Sequence, residues 1–225
     1  KMTIYDKIIQ GTDEWKEIRH GKVGGSTAKE VMTNLDKSVR TCAVFAKLLS
    51  ERMEDFDPFQ SSYQNAAMQR GNEYEPFARE EYERIYGETV QQVGWVELDN
   101  GFIGISPDGW IQEKKKSIEI KCPSAETHVK YMLNFNAFLE EYCWQIVHNF
   151  LVLKVDTVDC ISFRPENKFN KLIVFSVTRD TEIKISAKAT KKVSELVEML
   201  NARLIELEAE LNKEIEFQNN QIIKF

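Results

Sequence analysis

Apolar and polar residues follow two different periods along the chain. Alternation at period two indicates strands at residues 90–98, 102–106, 118–122, 157–164 and 171–178. Helical spacing indicates helices at residues 12–20, from near 26, at 41–53, 64–86, 125–133 and 138–153, and from about 184 to 216. The order of helices, strands, helices, strands and helix predicts one α/β domain over residues 1–225. We expect a central mixed sheet flanked by helices and a long C-terminal helix.

Turn and capping residues separate these segments. Thr12 can cap the first helix, and Asp-Asn-Gly at 99–101 and Pro-Asp-Gly at 107–109 predict tight turns between strands. The helix at 64–86 contains Gly71 and Pro76, so we expect an interruption near the glycine and a kink at the proline.

The long C-terminal helix carries an apolar stripe with spacings of four and three residues. The stripe consists of Val193, Val197, Leu200, Leu204, Leu207 and Leu211. Such a stripe either docks the helix on its own domain or forms a contact between subunits, and the first interpretation is favoured. The tail at 218–225 is polar and then apolar, and we expect it to be loosely held.

Composition narrows the class of protein. The chain has 225 residues, of which 42% are hydrophobic and 29% are charged, and no apolar run of 18 residues predicts a membrane span. Its four cysteines and three histidines are isolated, so we expect reduced thiols in a cytosolic protein and no zinc site. The net charge of −6 argues weakly against a nucleic-acid protein.

The candidate chemistry lies where Pro107-Asp108 is followed by Glu119-Ile120-Lys121. Acid-x-Lys occurs five times in the chain, but only Glu119 and Lys121 lie on an alternating strand, where residues two apart leave the same face. The preceding hairpin arm can bring Asp108 close to Glu119. Two carboxylates and a lysine on one sheet face suit Mg²⁺ or Mn²⁺ and metal-assisted phosphodiester hydrolysis. A salt-bridged hairpin without catalytic function remains the alternative at this point.

The spacing P-D-x₁₀-E-x-K resembles the PD-(D/E)xK nuclease superfamily. Five segments are similar, in order, to the motifs of the phage lambda-type alkaline exonucleases, also called YqaJ-type viral recombinases. They are GTDEWKEIRHGKVGGSTA, RGNEYEPFAREEY, IGISPDGW, IEIKCP and YCWQIVHNFLVL. The resemblance covers about residues 8–178, and the final helix carries no motif. It implies a restriction-endonuclease-like core.

The resemblance also implies roles for single residues. Asp108 and Glu119 would be metal ligands with the Ile120 carbonyl as a third, Lys121 would act on the attacking water, and Glu75 would complete the acidic cluster or serve a second ion. The residues expected to bind a terminal 5′-phosphate are Arg19, Ser26, Ser106 and Gln145. We expect His148 to be structural and assign no role to Cys122.

The function implied is that of a Mg²⁺-dependent 5′→3′ double-strand DNA exonuclease, with two ions per site and Mn²⁺ as a substitute. It would leave a 3′ single-stranded overhang for phage-type recombination in the bacterial host cytoplasm, encoded by a phage or prophage. The implied partners are duplex DNA ends, two further copies in a ring-shaped homotrimer, and a single-strand annealing protein. No membrane is implied.

Three other functions stay open. A RecB-like nuclease or an endonuclease would share the metal site, and an endonuclease would also cut circular DNA. A non-catalytic DNA-binding protein of the same fold would not need the intact set of Glu75, Asp108, Glu119 and Lys121.

Overall fold

The computed structural model describes residues 1–59 and 66–222. In this part of the chain, the helices are α1 (Asp13–Arg19), α2 (Ala28–Val31), α3 (Phe45–Met53), α4 (Ala66–Tyr86), α5 (Ala125–Leu133), α6 (Asn136–Leu153) and α7 (Val193–Ile222). The strands are β1 (Met2–Tyr5), β2 (Trp95–Leu98), β3 (Gly104–Ile105), β4 (Gly109–Ile111), β5 (Lys116–Lys121), β6 (Thr157–Phe163), β7 (Leu172–Thr178), β8 (Glu182–Ser186) and β9 (Ala189–Lys192).

The central sheet has the strand order β4-β5-β6-β7. Strands β5 and β6 are parallel, with Glu119 opposite Cys160, whereas β4–β5 and β6–β7 are antiparallel. The sheet is therefore mixed, as predicted. Strands β1, β2 and β3, which precede the central sheet in the sequence, form a second, antiparallel sheet in the order β1-β2-β3. Strands β8 and β9 form a separate hairpin.

Helices cover both faces of the central sheet, and the two faces of β5 differ in polarity. Ile118 and Ile120 pack in a cluster with Ala78 and Tyr82 of α4. On the opposite face, Ser117 and Glu119 point toward α6, where both contact Asn149. The alternation along β5 thus separates a hydrophobic contact with α4 from a polar contact with α6.

Helix α7 docks on its own chain. Its fully buried residues are Val193, Leu196, Leu200, Leu204, Leu207 and Leu211, and the helix packs against α2, α3 and α6. The prediction of intramolecular docking is confirmed, although Leu196 takes the place in the buried stripe that was expected for the half-buried Val197.

Several element boundaries differ from the sequence predictions. Residues 184–192, expected in the last helix, belong to the β8–β9 hairpin, because the alternating Ile183 is buried and Ile185 packs against the core. The expected interruption near Gly71 is wrong, since α4 runs without a break from Ala66 to Tyr86, with Pro76 inside it. The helix expected from near Ser26 is only a 3₁₀ turn followed by the four-residue α2.

Other predictions are confirmed or lie outside the described residues. Thr12 caps α1 by accepting a hydrogen bond from the Trp15 amide, and all four cysteines are free and buried. Strands β1 and β4 were not predicted. The predicted helix start at 64–65 falls outside the described residues. Residues 218–222 of the predicted tail continue α7, and its remaining residues 223–225 lie outside the described residues. No helix in the described part of the chain is long and apolar enough to cross a membrane.

Candidate active site

Strands β4 and β5 separate at Asp108. The last residue pair between the two strands is Gly109 with Ile118. Two residues further along β5, the backbone amide of Ile120 points to the same edge and donates a hydrogen bond of 2.6 Å to Asp108 Oδ2. A carboxylate thus replaces a main-chain acceptor at the fork. Because the N–H and C=O of one strand residue point to the same edge, the Ile120 carbonyl lies on the Asp108 side, as a metal ligand would require.

Glu119 is buried beside this fork and is held by one of its two oxygens. Its side chain is only 3% exposed. Asn149 Nδ2 donates a hydrogen bond of 3.1 Å to Oε2, whereas Oε1 lies 2.7 Å from Lys121 Nζ and has no hydrogen bond of acceptable geometry. One carboxylate oxygen is therefore fixed and the other faces positive charge.

Lys121 is surrounded by groups that favour its cationic form. Nζ donates a hydrogen bond of 3.2 Å to Gln145 Oε1 and lies 4.8 Å from the ring centre of Tyr142, at a kink in α6. Burial alone would lower the pKa of Lys121, but the charges of Glu119 and Asp108 raise it above its ordinary value. The two carboxylates thus favour the charged form of the lysine.

Glu75 enters the site from α4. Arg79, one turn later, donates a hydrogen bond of 2.6 Å from Nη2 to Glu75 Oε1 and one of 2.8 Å from Nε to the Asp108 backbone carbonyl. Burial raises the pKa of Glu75, against the opposing charge of Arg79. Burial, followed by the charges of Glu119 and Glu75, raises the pKa of Asp108 well above its ordinary value. Arg79 and Lys121 therefore offset only part of the negative charge of Glu75, Asp108 and Glu119.

The donor set fits a divalent cation. Across the described residues, no three His, Cys, Asp or Glu side chains converge closely enough to enclose a metal by themselves. Mg²⁺ usually takes one or two carboxylates and completes its shell with water and substrate phosphates. Asp108 and Glu119 supply two hard oxygen donors, the Glu119 Oε1 atom is without a hydrogen bond, and the mutual repulsion of the carboxylates would be relieved by a cation.

Arg19 occupies a second position in the site, on α1. Its guanidinium stacks 3.9 Å from the ring centre of Trp15 and lies 5.8 Å from that of Trp95. Burial lowers the pKa of Arg19 to about 10, against the charge of Glu51, so the group is still cationic at neutral pH. Its Nε is buried without a hydrogen-bond partner. A partly desolvated arginine with an unused donor suits an oxyanion ligand.

The Gly24-Gly25 backbone passes between Arg19 and Gln145. A side-chain carbon on Gly24 would lie 3.5 Å from Arg19 Nη2, and one on Gly25 would lie 3.6 Å from Gln145 Cγ. Since a lysine can only donate, Gln145 must present its oxygen to Lys121, which leaves the amide NH₂ of Gln145 able to donate elsewhere. The next residue, Ser26, is exposed.

Ser106 contacts Trp15 of α1 and the Gly94 carbonyl, and its expected role at a terminal phosphate stays a prediction. Its hydroxyl donates its single proton to the Gly94 carbonyl at 2.7 Å and accepts a hydrogen bond of 2.7 Å from Trp15 Nε1. In this arrangement Ser106 orients the indole that stacks on Arg19.

A cleft of about 990 Å³ lies beside Arg19. Its walls include Trp15, Arg19, Gly24, Glu75 and Arg79. The cleft thus connects the Arg19 position with the Glu75–Arg79 pair, and Arg79 in turn contacts the Asp108 backbone carbonyl.

Sequence reasoning missed two buried residues of the site. Asn149 lies four residues after Gln145, and Arg79 lies four residues after Glu75. Helical i,i+4 spacing from an already suspected residue was the signal that could have found them.

Comparison with known proteins gives one family. The YqaJ-like viral recombinase domain matches residues 14–156. No curated protein matches the chain significantly.

Solved structures of exonucleases resemble the chain over nearly its whole length. The alkaline exonuclease LHK-Exo from Laribacter hongkongensis is 29% identical, with a TM-score of 0.76, covering 95% of this chain and 99% of its own. The same values hold for LHK-Exo in complex with dAMP. A phage-related exonuclease from Haemophilus somnus 129PT is 15% identical, with a TM-score of 0.62 over 88% of this chain and 97% of its own. This last likeness concerns the fold alone.

Proposed function

The chain belongs to the family of YqaJ-like viral recombinase domains, and from this premise we propose that it is a Mg²⁺-dependent exonuclease. It digests one strand of linear duplex DNA from the 5′ end and leaves a 3′ single-stranded overhang. Family membership and the likeness to the alkaline exonuclease LHK-Exo support DNA exonuclease activity in general. The binding of dAMP by LHK-Exo is in keeping with a nucleotide product.

One observation carries the proposal: the Asp108 carboxylate lies in the β4–β5 fork next to the buried Glu119–Lys121 pair. Asp108, Glu119 and the Ile120 carbonyl would hold a divalent cation, Mg²⁺ or Mn²⁺, and Glu75 would serve a second one. When bound, such a cation supplies a Lewis acid for the phosphodiester and a water of lowered pKa.

The protein's own groups perform the remaining work. Lys121 holds a positive charge within the site, where it stabilises the negative charge that develops on the phosphate in the transition state. Asn149 and Gln145 hold the Glu119–Lys121 pair from the α6 side. Glu75 lines the cleft that also holds Arg19.

The Arg19 position supports the proposed direction of digestion. A terminal phosphate carries more negative charge than a diester, so a desolvated arginine with an unused donor binds it in preference to the strand interior. With Gln145 and Ser26 close to the same Gly24-Gly25 backbone, Arg19 would retain the 5′-phosphate while the adjacent diester is cut. Ser106 contributes by holding Trp15.

The proposal extends to assembly, partners and location. A homotrimer around DNA, cooperation with a single-strand annealing protein, and action in the cytoplasm of a bacterial host of a phage or prophage belong to it. A trimer interface would use surfaces other than the apolar stripe of α7, because that stripe is buried within the chain. Light scattering of the purified protein tests the trimer directly.

The experiment that tests the function uses a linear duplex with a fluorescent label at the 3′ end of one strand. Phosphorothioate linkages block either the 5′ end or the 3′ end of that strand. We expect a block at the 5′ end to stop digestion and a block at the 3′ end to leave it unchanged. A covalently closed circular duplex is the control and should remain intact. Cleavage of the circle would identify an endonuclease, and dependence on a free 3′ end would reverse the polarity.

A further inference from the structure

Asn149 is completely buried between α6 and β5 and uses its whole side-chain amide. Nδ2 donates to Glu119 Oε2 at 3.1 Å and to the Gln145 backbone carbonyl at 3.0 Å. Oδ1 accepts a hydrogen bond of 3.0 Å from the Ser117 hydroxyl. Asn149 and Ser117 are both 0% exposed. A buried polar group with all its partners satisfied holds one geometry, because any other leaves a partner unpaired.

The partners also determine which way the amide points. A carboxylate oxygen and a main-chain carbonyl can only accept, so the NH₂ group of Asn149 must face Glu119 and the Gln145 carbonyl. The hydrogen bond to Gln145, one turn earlier on α6, ties the amide to the backbone of its own helix. The Asn149 side chain is therefore a rigid donor directed at one oxygen of Glu119.

This contact divides the two oxygens of Glu119. Oε2 is occupied by Asn149, while Oε1 has no hydrogen bond and faces Lys121 Nζ at 2.7 Å. The carboxylate cannot tilt out of this orientation without breaking the bond to Asn149. The same contact also links Glu119 to the helix that carries Gln145, the acceptor of Lys121.

We propose that Asn149 is a positioning residue for the metal site, which holds Glu119 so that Oε1 is presented to the cation. The inference rests on the proposed function, since it takes Glu119 to be a metal ligand. Partners that orient a ligating carboxylate raise metal affinity, and their loss costs on the order of 10–100-fold in affinity or activity. Asn149 touches neither the cation nor the DNA in this assignment.

The test measures Mn²⁺ binding to the DNA-free, full-length protein by isothermal titration calorimetry, with Mn²⁺ alone as the probe. Asn149→Leu has nearly the same volume and removes all three hydrogen bonds. Ser117→Ala removes only the bond at the far end of the amide. Tyr82→Phe is the matched control, because it deletes the buried bond from Tyr82 to Asp159, in a network that does not include Glu119. Thermal melts establish that each variant is folded.

We expect Asn149→Leu to weaken Mn²⁺ binding by about 10–100-fold, Ser117→Ala to weaken it far less, and Tyr82→Phe to leave it unchanged. The nuclease rate of Asn149→Leu should recover as Mn²⁺ is raised. If Asn149→Leu does not fold, Asn149→Ser, which leaves room for a water, is measured in the same way. Wild-type affinity in a folded Asn149 variant overturns the positioning role. Absence of Mn²⁺ binding by the wild type overturns the proposed metal site and this inference with it.

Discussion

Arg79 Nη2 donates a hydrogen bond of 2.6 Å to Glu75 Oε1, one turn earlier on α4. The same guanidinium reaches the Asp108 backbone carbonyl through Nε at 2.8 Å. Arg79 therefore fixes the distance between a helix on one side of the site and the strand fork on the other. It also offsets part of the negative charge that Glu75, Asp108 and Glu119 bring together.

Replacing Arg79 should affect both stability and rate. Arg79→Gln leaves Glu75 half-buried without its cation, and a lost hydrogen bond to a charged group costs on the order of 1.5–3 kcal/mol. We expect the free energy of unfolding, measured by urea denaturation, to fall by about this amount and the nuclease rate to fall with it. Arg79→Lys keeps the charge and should recover part of both. Full activity in Arg79→Gln would show that Glu75 needs no such anchor.

The Arg19 position predicts a dependence on the chemistry of the DNA end. Arg19→Ala should reduce the rate on 5′-phosphorylated duplexes more than on 5′-hydroxyl duplexes. The expected difference is on the order of 1.5–3 kcal/mol, or roughly tenfold to a hundredfold in rate. Arg19→Lys retains the charge but loses the planar fork and its stacking on Trp15. Its rate on 5′-phosphorylated duplexes should therefore lie between those of the wild type and Arg19→Ala. An equal loss on both ends would make Arg19 a general backbone contact.

His148 predicts a loss of stability in mild acid. Its Nε2 donates a hydrogen bond of 2.8 Å to the Gly104 carbonyl, Nδ1 is buried without a partner, and burial lowers the pKa of His148 to about 4. The folded protein keeps the ring neutral while the unfolded chain takes up a proton below about pH 6.5. The stabilising contribution is therefore present above that pH and is lost as the pH falls toward 4.

The measurement for His148 compares wild type with His148→Gln, which can still donate to Gly104 but does not titrate. Between pH 7 and pH 5 the wild type should lose about 2 kcal/mol more unfolding free energy than the variant. Urea denaturation at both pH values gives the two losses. Parallel losses in the two proteins would show that His148 does not titrate on unfolding.

The docking of α7 predicts different effects for two adjacent residues. Leu204 is fully buried and Ile205 is 60% exposed. Leu204→Ala should lower the free energy of unfolding by about 2–5 kcal/mol, and Ile205→Ala should change it by less than about 0.5 kcal/mol. Chemical denaturation of the two variants checks this. A larger loss from Ile205→Ala would show that the outer face of α7 is covered in solution.

Local patterns predicted those parts of the site that lie within one strand or one turn. Glu119 and Lys121 were predicted on one face because side chains in a strand alternate, and Asp108 was correctly placed near them. The tight turn predicted at Pro-Asp-Gly is instead a bend at Asp108, because Gly109 already pairs with Ile118 in β4. Asn149 and Arg79 were missed because their contacts depend on how α6 and α4 lie on the sheet. These contacts with the sheet span about 30 residues, a separation that local periodicity does not predict. The only local signal was the i,i+4 spacing of the two residues from Gln145 and Glu75.

The β8–β9 hairpin shows how a helical composition can hide a strand. Residues 184–192 contain alanine and lysine, which favour helices, and the turn contains neither glycine nor proline. The period-two signal, Ile183 and Ile185, is only two residues long. Burial of Ile183 against the core decides the outcome in favour of the strand.

We predict that Asp108 and Glu119 hold a divalent cation on which strand hydrolysis depends. The most direct measurement is nucleotide release from a 5′-phosphorylated linear duplex as Mg²⁺ is titrated, for wild type, Asp108→Asn and Glu119→Gln. Glu73→Gln, an exposed acid on the same α4 helix as Glu75, is the matched control. We predict a saturable dependence on Mg²⁺ in wild type and Glu73→Gln, no release in EDTA, and a loss of orders of magnitude in both site variants while their folds persist. Wild-type release in EDTA, or in folded Asp108→Asn or Glu119→Gln, would contradict the account.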